Sequence, residues 1–453
     1  MKTTTNKMRP SHTATRNTCK CCAPLGASMV FKGIAGAMPL LHGSQGCSTY
    51  IRRYVIGHFR EPIDIASSSF SEETTIFGGK ENLQAAIINL ISLYRPSVIG
   101  IATTCLAETI GEDISMHLKS MENLPDDTPP IVHVATPSYQ GTHIDGFRRT
   151  VCVLIKQFAE HNEKRKWITL FPGMVSPADL RYLKKICSSF NLPYTLLPDY
   201  SETLDGGIWD EYQKIPQGGT TIEEIIASGS SCASIEFGAS AIGDLSAGRL
   251  LEEKCGVPAY KVPFPLGVEA NDLFFEVIEK VSGTSIPEEY IRERQQLVDA
   301  YVDGHKFVTG KKVAIFGDED FVVAFARFCT EIGMKITAVV SGASEKGLRK
   351  AIKINLPDTF ERLAILPESD FEDLADSMSL ERPDLLIGSS KGYQLARKTG
   401  IPLIRIGFPV QDRIGSQRLL HIGYEGTLRI YDQIVNTIIE YKQSQSDAGY
   451  MTW

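Results

Sequence analysis

Pro96-Ser97-Val98-Ile99-Gly100-Ile101-Ala102-Thr103-Thr104-Cys105 is the stretch that decides the fold. From Val98 to Ala102 nothing polar interrupts it. A short unbroken apolar run bounded by turn residues reads as a strand buried on both faces, the habit of parallel sheets covered by helices on either side. Upstream, 82–94 reads as a helix with Leu83, Ala86, Ile87, Leu90, Ile91 and Tyr94 on one face. Downstream, 131–135 reads as another strand, closed by Thr136-Pro137-Ser138.

The same alternation recurs twice more. A second unit opens with a strand at 167–171, a Pro172-Gly173 turn, a helix over 177–190 begun by Pro177, and a strand at 194–197. A third opens with a strand at 311–317, a helix over 321–333 and a strand at 336–340. Later strands are expected at 385–388 and 402–405, and a last helix at about 428–441. Three βαβ blocks imply an α/β protein of three doubly wound, Rossmann-like domains. The boundaries read as a disordered arm 1–18, then 19–165, 166–306 and 307–453. Ligands of such sheets sit at the carboxyl ends of strands, which is where Cys105 and Ser138 fall. Neither a G-x-G-x-x-G fingerprint nor a phosphate loop is present, so no nucleotide hydrolysis is expected.

Composition narrows the class. The 453 residues are 43% hydrophobic and 22% charged, with a net charge of −7. That balance suits a globular protein and argues against a nucleic-acid partner. No apolar run is long enough for a membrane span, and the first 18 residues are too polar for a signal peptide. Ten cysteines in 453 residues are too sparse for a disulfide framework. A reducing, cytoplasmic setting is expected.

Three of those cysteines sit in unusual frames. Cys22 opens Cys-Ala-Pro-Leu-Gly-Ala, Cys47 closes His42-Gly-Ser-Gln-Gly46-Cys, and Cys105 ends the strand quoted above. Thiolates at strand ends and Gly-rich turns are what an iron–sulfur cluster asks for: soft ligands and close backbone approach. A cubane wants four thiolates and this chain frames three. A cluster shared with a partner subunit follows, or one with a fourth ligand that is not cysteine. Three buried structural cysteines are the alternative.

These segments, with His58-Phe-Arg-Glu-Pro62, Thr103-Thr-Cys-Leu-Ala-Glu108, Thr136-Pro-Ser138, residues 401–409 (Ile-Pro-Leu-Ile-Arg-Ile-Gly-Phe-Pro) and Gly423-Tyr-Glu-Gly426, resemble the β-type branch of the nitrogenase component 1 superfamily over essentially the whole chain after residue 18. Cys22, Cys47 and Cys105 lie 25 and 58 positions apart, the spacing of the thiolates with which that branch holds its half of a shared cluster. The resemblance implies a homologous α-type subunit, an α2β2 assembly, and a cluster at the α/β interface, either [4Fe-4S] or the [8Fe-7S] P-cluster. It implies Ser138 as a redox-dependent cluster ligand; a turn or cap after Pro137 is the other reading of that serine.

Three roles exist in the superfamily: catalytic β-subunits, scaffolds of the NifEN type that mature a cofactor precursor, and nitrogenase-like reductases. The cysteine set does not choose among them. Residues 197–206, the tight 389–400 link, Gly415-Ser-Gln-Arg418 and the short tail 448–453 resemble the N-type scaffold subunit. Its partners would be a NifE-like subunit (NifD-like in the catalytic alternative) and the nitrogenase iron protein. An iron–molybdenum-cofactor precursor would be held in the complex, with most of its ligands on the partner chain.

Other residues complete the reading. His42 is expected to make a supporting hydrogen bond within the Gly-rich turn, and Gly46 to allow close approach there. His58, Arg60 and Glu61 are expected in a solvated or interface ion pair. Arg52 and Arg53 either favour the Cys47 thiolate or pack an interface. Glu108, Glu112 and Asp113 are expected to accompany a helix starting at Gly111. Cys19 or Cys21 is a possible substitute for Cys22. Cys152, Cys187, Cys232, Cys255 and Cys329 are expected in the core.

Overall fold

The computed structural model describes residues 19–121, 124–161, 163–238 and 245–447. The expected disordered arm and the tail 448–453 lie outside them. The first sheet contains β1 (Ala37–His42), β2 (Ala66–Ser67), β3 (Val98–Thr103) and β4 (Ile131–Val134), in the order β2-β1-β3-β4. Every pairing in it is parallel. Both central strands are buried along their whole length, as an unbroken apolar run requires when helices cover both faces. Leu41 stands opposite Ala102, and His42 opposite Thr103. The chain therefore leaves two neighbouring strands at one level.

The second sheet holds β5 (Arg165–Phe171), β6 (Tyr194–Leu196), β7 (Ser231–Phe237) and β8 (Ala259–Val262), in the order β6-β5-β7-β8. The third holds β9 (Lys312–Gly317), β10 (Lys335–Ser341), β11 (Ala364–Leu366), β12 (Leu385–Gly388) and β13 (Leu403–Arg405), in the order β11-β10-β9-β12-β13. Both are wholly parallel. Strand β7 escapes the hydrophobic pattern because it begins Ser-Cys-Ala-Ser. Its serines are buried by pairing, and Ser231 shares a hydrogen bond with Thr169.

In the first unit the helices are α1 (Ala23–Lys32), α2 (Gln45–Phe59), α3 (Glu72–Phe77), α4 (Lys80–Tyr94), α5 (Cys105–Ile110), α6 (Ile114–Lys119) and α7 (His143–Phe158). All ten residues of α1 are buried. It crosses α7 at glycine on both sides: a Cβ on Gly26 would lie 1.8 Å from the His143 carbonyl oxygen, and one on Gly146 would lie 2.0 Å from that of Ala23. No helix starts at Gly111. That residue closes α5 in a left-handed conformation, and the Asp113 carboxylate caps α6 by accepting from Met116 N–H. Two short helices replace one, because the left-handed Gly111 ends α5 and Asp113 starts α6. In the third unit the helix expected from 321 begins at Glu319, since Asp318 accepts from Phe321 N–H. The final helix, Gly423–Ser444, starts before its apolar stripe and packs on Glu288–Val308.

Asp179 joins the units. It lies fully buried in α8 (Pro177–Ser189). Its carboxylate accepts from Ser176 N–H at 3.0 Å, His421 N–H at 2.6 Å, His421 Nδ1 at 2.8 Å and Ile422 N–H at 3.2 Å. Burial raises its pKa, but the His421 charge and these donors outweigh burial and hold it below the usual range. Asp179→Asn is expected to cost about 3–5 kcal/mol at pH 7, because it leaves the donors around the site badly matched. A depressed carboxylate stabilises above its unfolded-state pKa, and that contribution is lost as pH falls through the folded-state value. The gap between wild-type and variant urea midpoints should therefore close below about pH 4.

Among the described residues no helix is long and apolar enough to cross a membrane. Where the three units meet, a cavity of about 60 Å³ is lined by His58, Asp179, Asp318, Phe321, Phe408 and His421.

Candidate metal centre

The carboxyl edge of the first sheet gathers the framed cysteines. Cys47 lies in the first turn of α2 after β1, and Cys105 is the first residue of α5 after β3. Ser138 follows β4, the next strand along, in a single helical turn, Ser138–Gln140. Cys22 caps α1 in extended conformation. All three thiols are part-exposed and unpaired. Cys22 is the N-cap of α1, and Cys47 and Cys105 stand in the first turns of α2 and α5.

The sulfurs are met by donors. Ser138 N–H reaches Cys105 Sγ at 3.2 Å, and the Ser44 hydroxyl reaches Cys47 Sγ at 3.8 Å instead of capping α2. Burial, with the neighbouring Cys21 and Cys47, pushes the Cys22 thiol up to about 12 against the Leu25 N–H. Any metal binding there must displace its proton. Gly46 is exposed, and a Cβ on it would meet nothing nearer than Ser44 Oγ at 3.9 Å. The fold of this chain does not demand glycine there, so the open face beside Cys47 is room for something else.

Among the described residues no three His, Cys, Asp or Glu side chains converge closely enough to hold one metal ion. The donor set fits a polynuclear group with ligands spread around it: soft thiols only, spaced apart on one rim, with N–H and O–H groups on the sulfurs.

The neighbours differ from expectation in several places. His42 is completely buried at the end of β1 and bonds Glu112 Oε2 at 3.3 Å rather than its own turn. That carboxylate also takes His117 Nε2 at 2.7 Å and Gly79 N–H at 2.7 Å. Burial outweighs Glu112 and pushes His42 down to about 4, so it is neutral near pH 7. Glu112 is thus a brace beneath the turn, not part of a helix. His58 is buried, accepts from Val410 N–H at 2.9 Å and joins no ion pair among the described residues; Arg60 donates to the Gln411 carbonyl. His58 docks on the third unit, while Arg60 stays exposed at that contact. Arg52 is committed to Asp64 at 3.1 Å. Cys19 is buried in the core of the third sheet, too enclosed to replace Cys22. Cys21 Sγ lies 3.8 Å from Lys391 Nζ. Cys152, Cys187, Cys255 and Cys329 are buried as expected, whereas Cys232 is part-exposed.

A family model for the nitrogenase component 1 type oxidoreductases matches residues 22–439, beginning at the first framed cysteine. The chain belongs to the nitrogenase component 1 family. Its relatives within that family carry two names. The nitrogenase molybdenum-iron protein beta chain of Clostridium pasteurianum is 37% identical over 94% of this chain and 93% of its own length. The nitrogenase iron-molybdenum cofactor biosynthesis protein NifN of a Nostoc species is 33% identical over 96% of each. A solved structure of nitrogenase Cp1 at pH 6.5 superposes with a TM-score of 0.93 at 35% identity, covering 99% of this chain and 98% of that one. The family fold with three parallel sheets, expected from the βαβ pattern, is therefore present, in a β-type member.

Proposed function

We propose that this chain supplies Cys22, Cys47 and Cys105 to an iron–sulfur cluster shared with a homologous α-type subunit in an α2β2 assembly. We further propose that it is the N-type subunit of the scaffold on which the iron–molybdenum cofactor is completed. The observation that carries the first part is the rim of three part-exposed thiols, surrounded by exposed apolar side chains: Tyr50 in α2, Ile76 and Phe77 in α3, and Tyr139 beside Ser138. Exposed apolar groups around an incomplete ligand set suit a surface that a partner covers while adding the missing thiolates.

A bound cluster would supply one-electron transfer. The chain's own residues hold its share: Ser138 N–H and the Ser44 hydroxyl steady two of the sulfurs, and Ser138 offers an oxygen as a further ligand. The nitrogenase iron protein is the proposed electron donor and carrier of molybdenum and homocitrate.

The scaffold reading is supported by the stretches 197–206 and 389–400 and by relatives named NifN. In this reading the partner chain holds most of the precursor's ligands. The catalytic β-subunit is the second reading, favoured by the 37% identity to a beta chain and by the complete thiol set.

Anaerobic co-purification with the α-type partner, iron counting and EPR of the dithionite-reduced complex test both. An S = 1/2 signal with about four irons per interface is expected for the scaffold. A reduced, EPR-silent cluster with about twice that iron, paramagnetic on oxidation, would favour the catalytic subunit. A colourless, iron-free complex would overturn both.

A further inference from the structure

One short stretch touches two of the three thiol-bearing segments. Ser138 N–H lies on Cys105 Sγ. Just beyond it, His143 opens α7 behind a Thr142–Asp145 capping box. His143 grips Cys21 twice: Cys21 N–H donates to His143 Nδ1 at 3.3 Å, and His143 N–H donates to the Cys21 carbonyl at 3.0 Å. Cys22 is the next residue, with no side-chain cap of its own. The Gly26–Gly146 crossing then locks α1 against α7.

The imidazole is only 2% exposed. Because Nδ1 accepts, the proton sits on Nε2, which is buried and has no partner among the described residues. An unsatisfied buried donor is costly. An apolar side chain would avoid that cost but could not hold Cys21 N–H.

We propose that His143 is a positioning residue for the metal centre, fixing Cys22 relative to Cys105 by clamping both backbone groups of Cys21. The proposal rests on the reading of Cys22 as a cluster ligand. Its physical content is that the acceptor at Nδ1, rather than ring bulk or charge, keeps Cys22 in place.

Asparagine and glutamine separate these contributions. The Asn side-chain oxygen reaches the position of Nδ1, whereas that of Gln reaches the position of Nε2. In the αβ complex, iron retained through a chelator challenge should fall about tenfold in His143→Gln and stay within about twofold of wild type in His143→Asn. The cluster's midpoint potential should move only in His143→Gln. In the iron-stripped complex, alkylation of Cys22, followed by peptide mass spectrometry, should be faster in His143→Gln than in His143→Asn. Equal behaviour of the two folded variants in retention and alkylation would overturn the clamp. Cys47→Ala run alongside isolates the other failure. If that variant keeps its iron, Cys47 leaves the ligand set and the three-thiol reading falls, and the alkylation rates alone still decide the clamp.

Discussion

Cys47→Ala is expected to strip iron from the αβ complex. Losing a hydrogen-bond partner of a metal ligand already costs 10–100-fold in affinity, so losing the ligand itself should lower retained iron by about tenfold or more. The deletion also leaves the Ser44 hydroxyl without the sulfur it faces. Since the cluster bridges two chains in this reading, the α-type partner should dissociate at lower dilution. Cys232→Ala is the control. That cysteine is also part-exposed but belongs to β7 of the second sheet, away from the rim, and its loss should leave iron unchanged. Iron counting and analytical ultracentrifugation read both quantities. Undiminished iron and assembly in Cys47→Ala would remove Cys47 from the ligand set.

Gly26→Val is expected to be the most damaging single change to the fold. Its first added carbon would lie 1.8 Å from the His143 carbonyl oxygen and 2.6 Å from Phe147 N, both main-chain atoms of α7. Backbone cannot swing aside as a flexible side chain does, so the two helices must separate. Overpacking a tight core costs about 1–3 kcal/mol and more where no side chain can yield. A loss above about 3 kcal/mol is expected here, seen as a collapse of the thermal midpoint or as insoluble chain. Gly46→Ala calibrates the result. It meets nothing within 3.9 Å and lies in the first turn of α2, where alanine should be neutral or stabilising by up to about 1 kcal/mol. Because Cys22 caps α1, any folded Gly26→Val protein should also hold less iron.

The two substitutions show how differently legible the fold and the site were. The strand through Val98–Thr103 was readable because burial on both faces leaves an unbroken apolar signature, and α4 because its stripe repeats with the helical period. The three cysteines were legible as candidates because their neighbours are unusual: proline, glycine, a Thr-Thr pair. Gly46 stood out for the same reason, and its open face is consistent with that reading.

The structural reason for the other glycines, and the partners of the polar residues, were not readable. Gly26 looks like any helix glycine until α7 is laid across it. Glu112 looked like a helix-start acid, yet it serves His42 from 70 positions away. His58 lay in a charged segment and was expected at the surface, yet the third unit buries it. His143 carried no signal at all, since its partner is 122 positions distant, and Asp179 meets His421 across 242. Periodicity and spacing report what a residue does to its own helix or strand. The sequence by itself determined which elements form, that their sheets are parallel, and which thiols are candidates for metal. Only the tertiary structure decided which buried polar groups satisfy one another, because a buried donor or acceptor takes whatever partner packing delivers, without regard to distance along the chain.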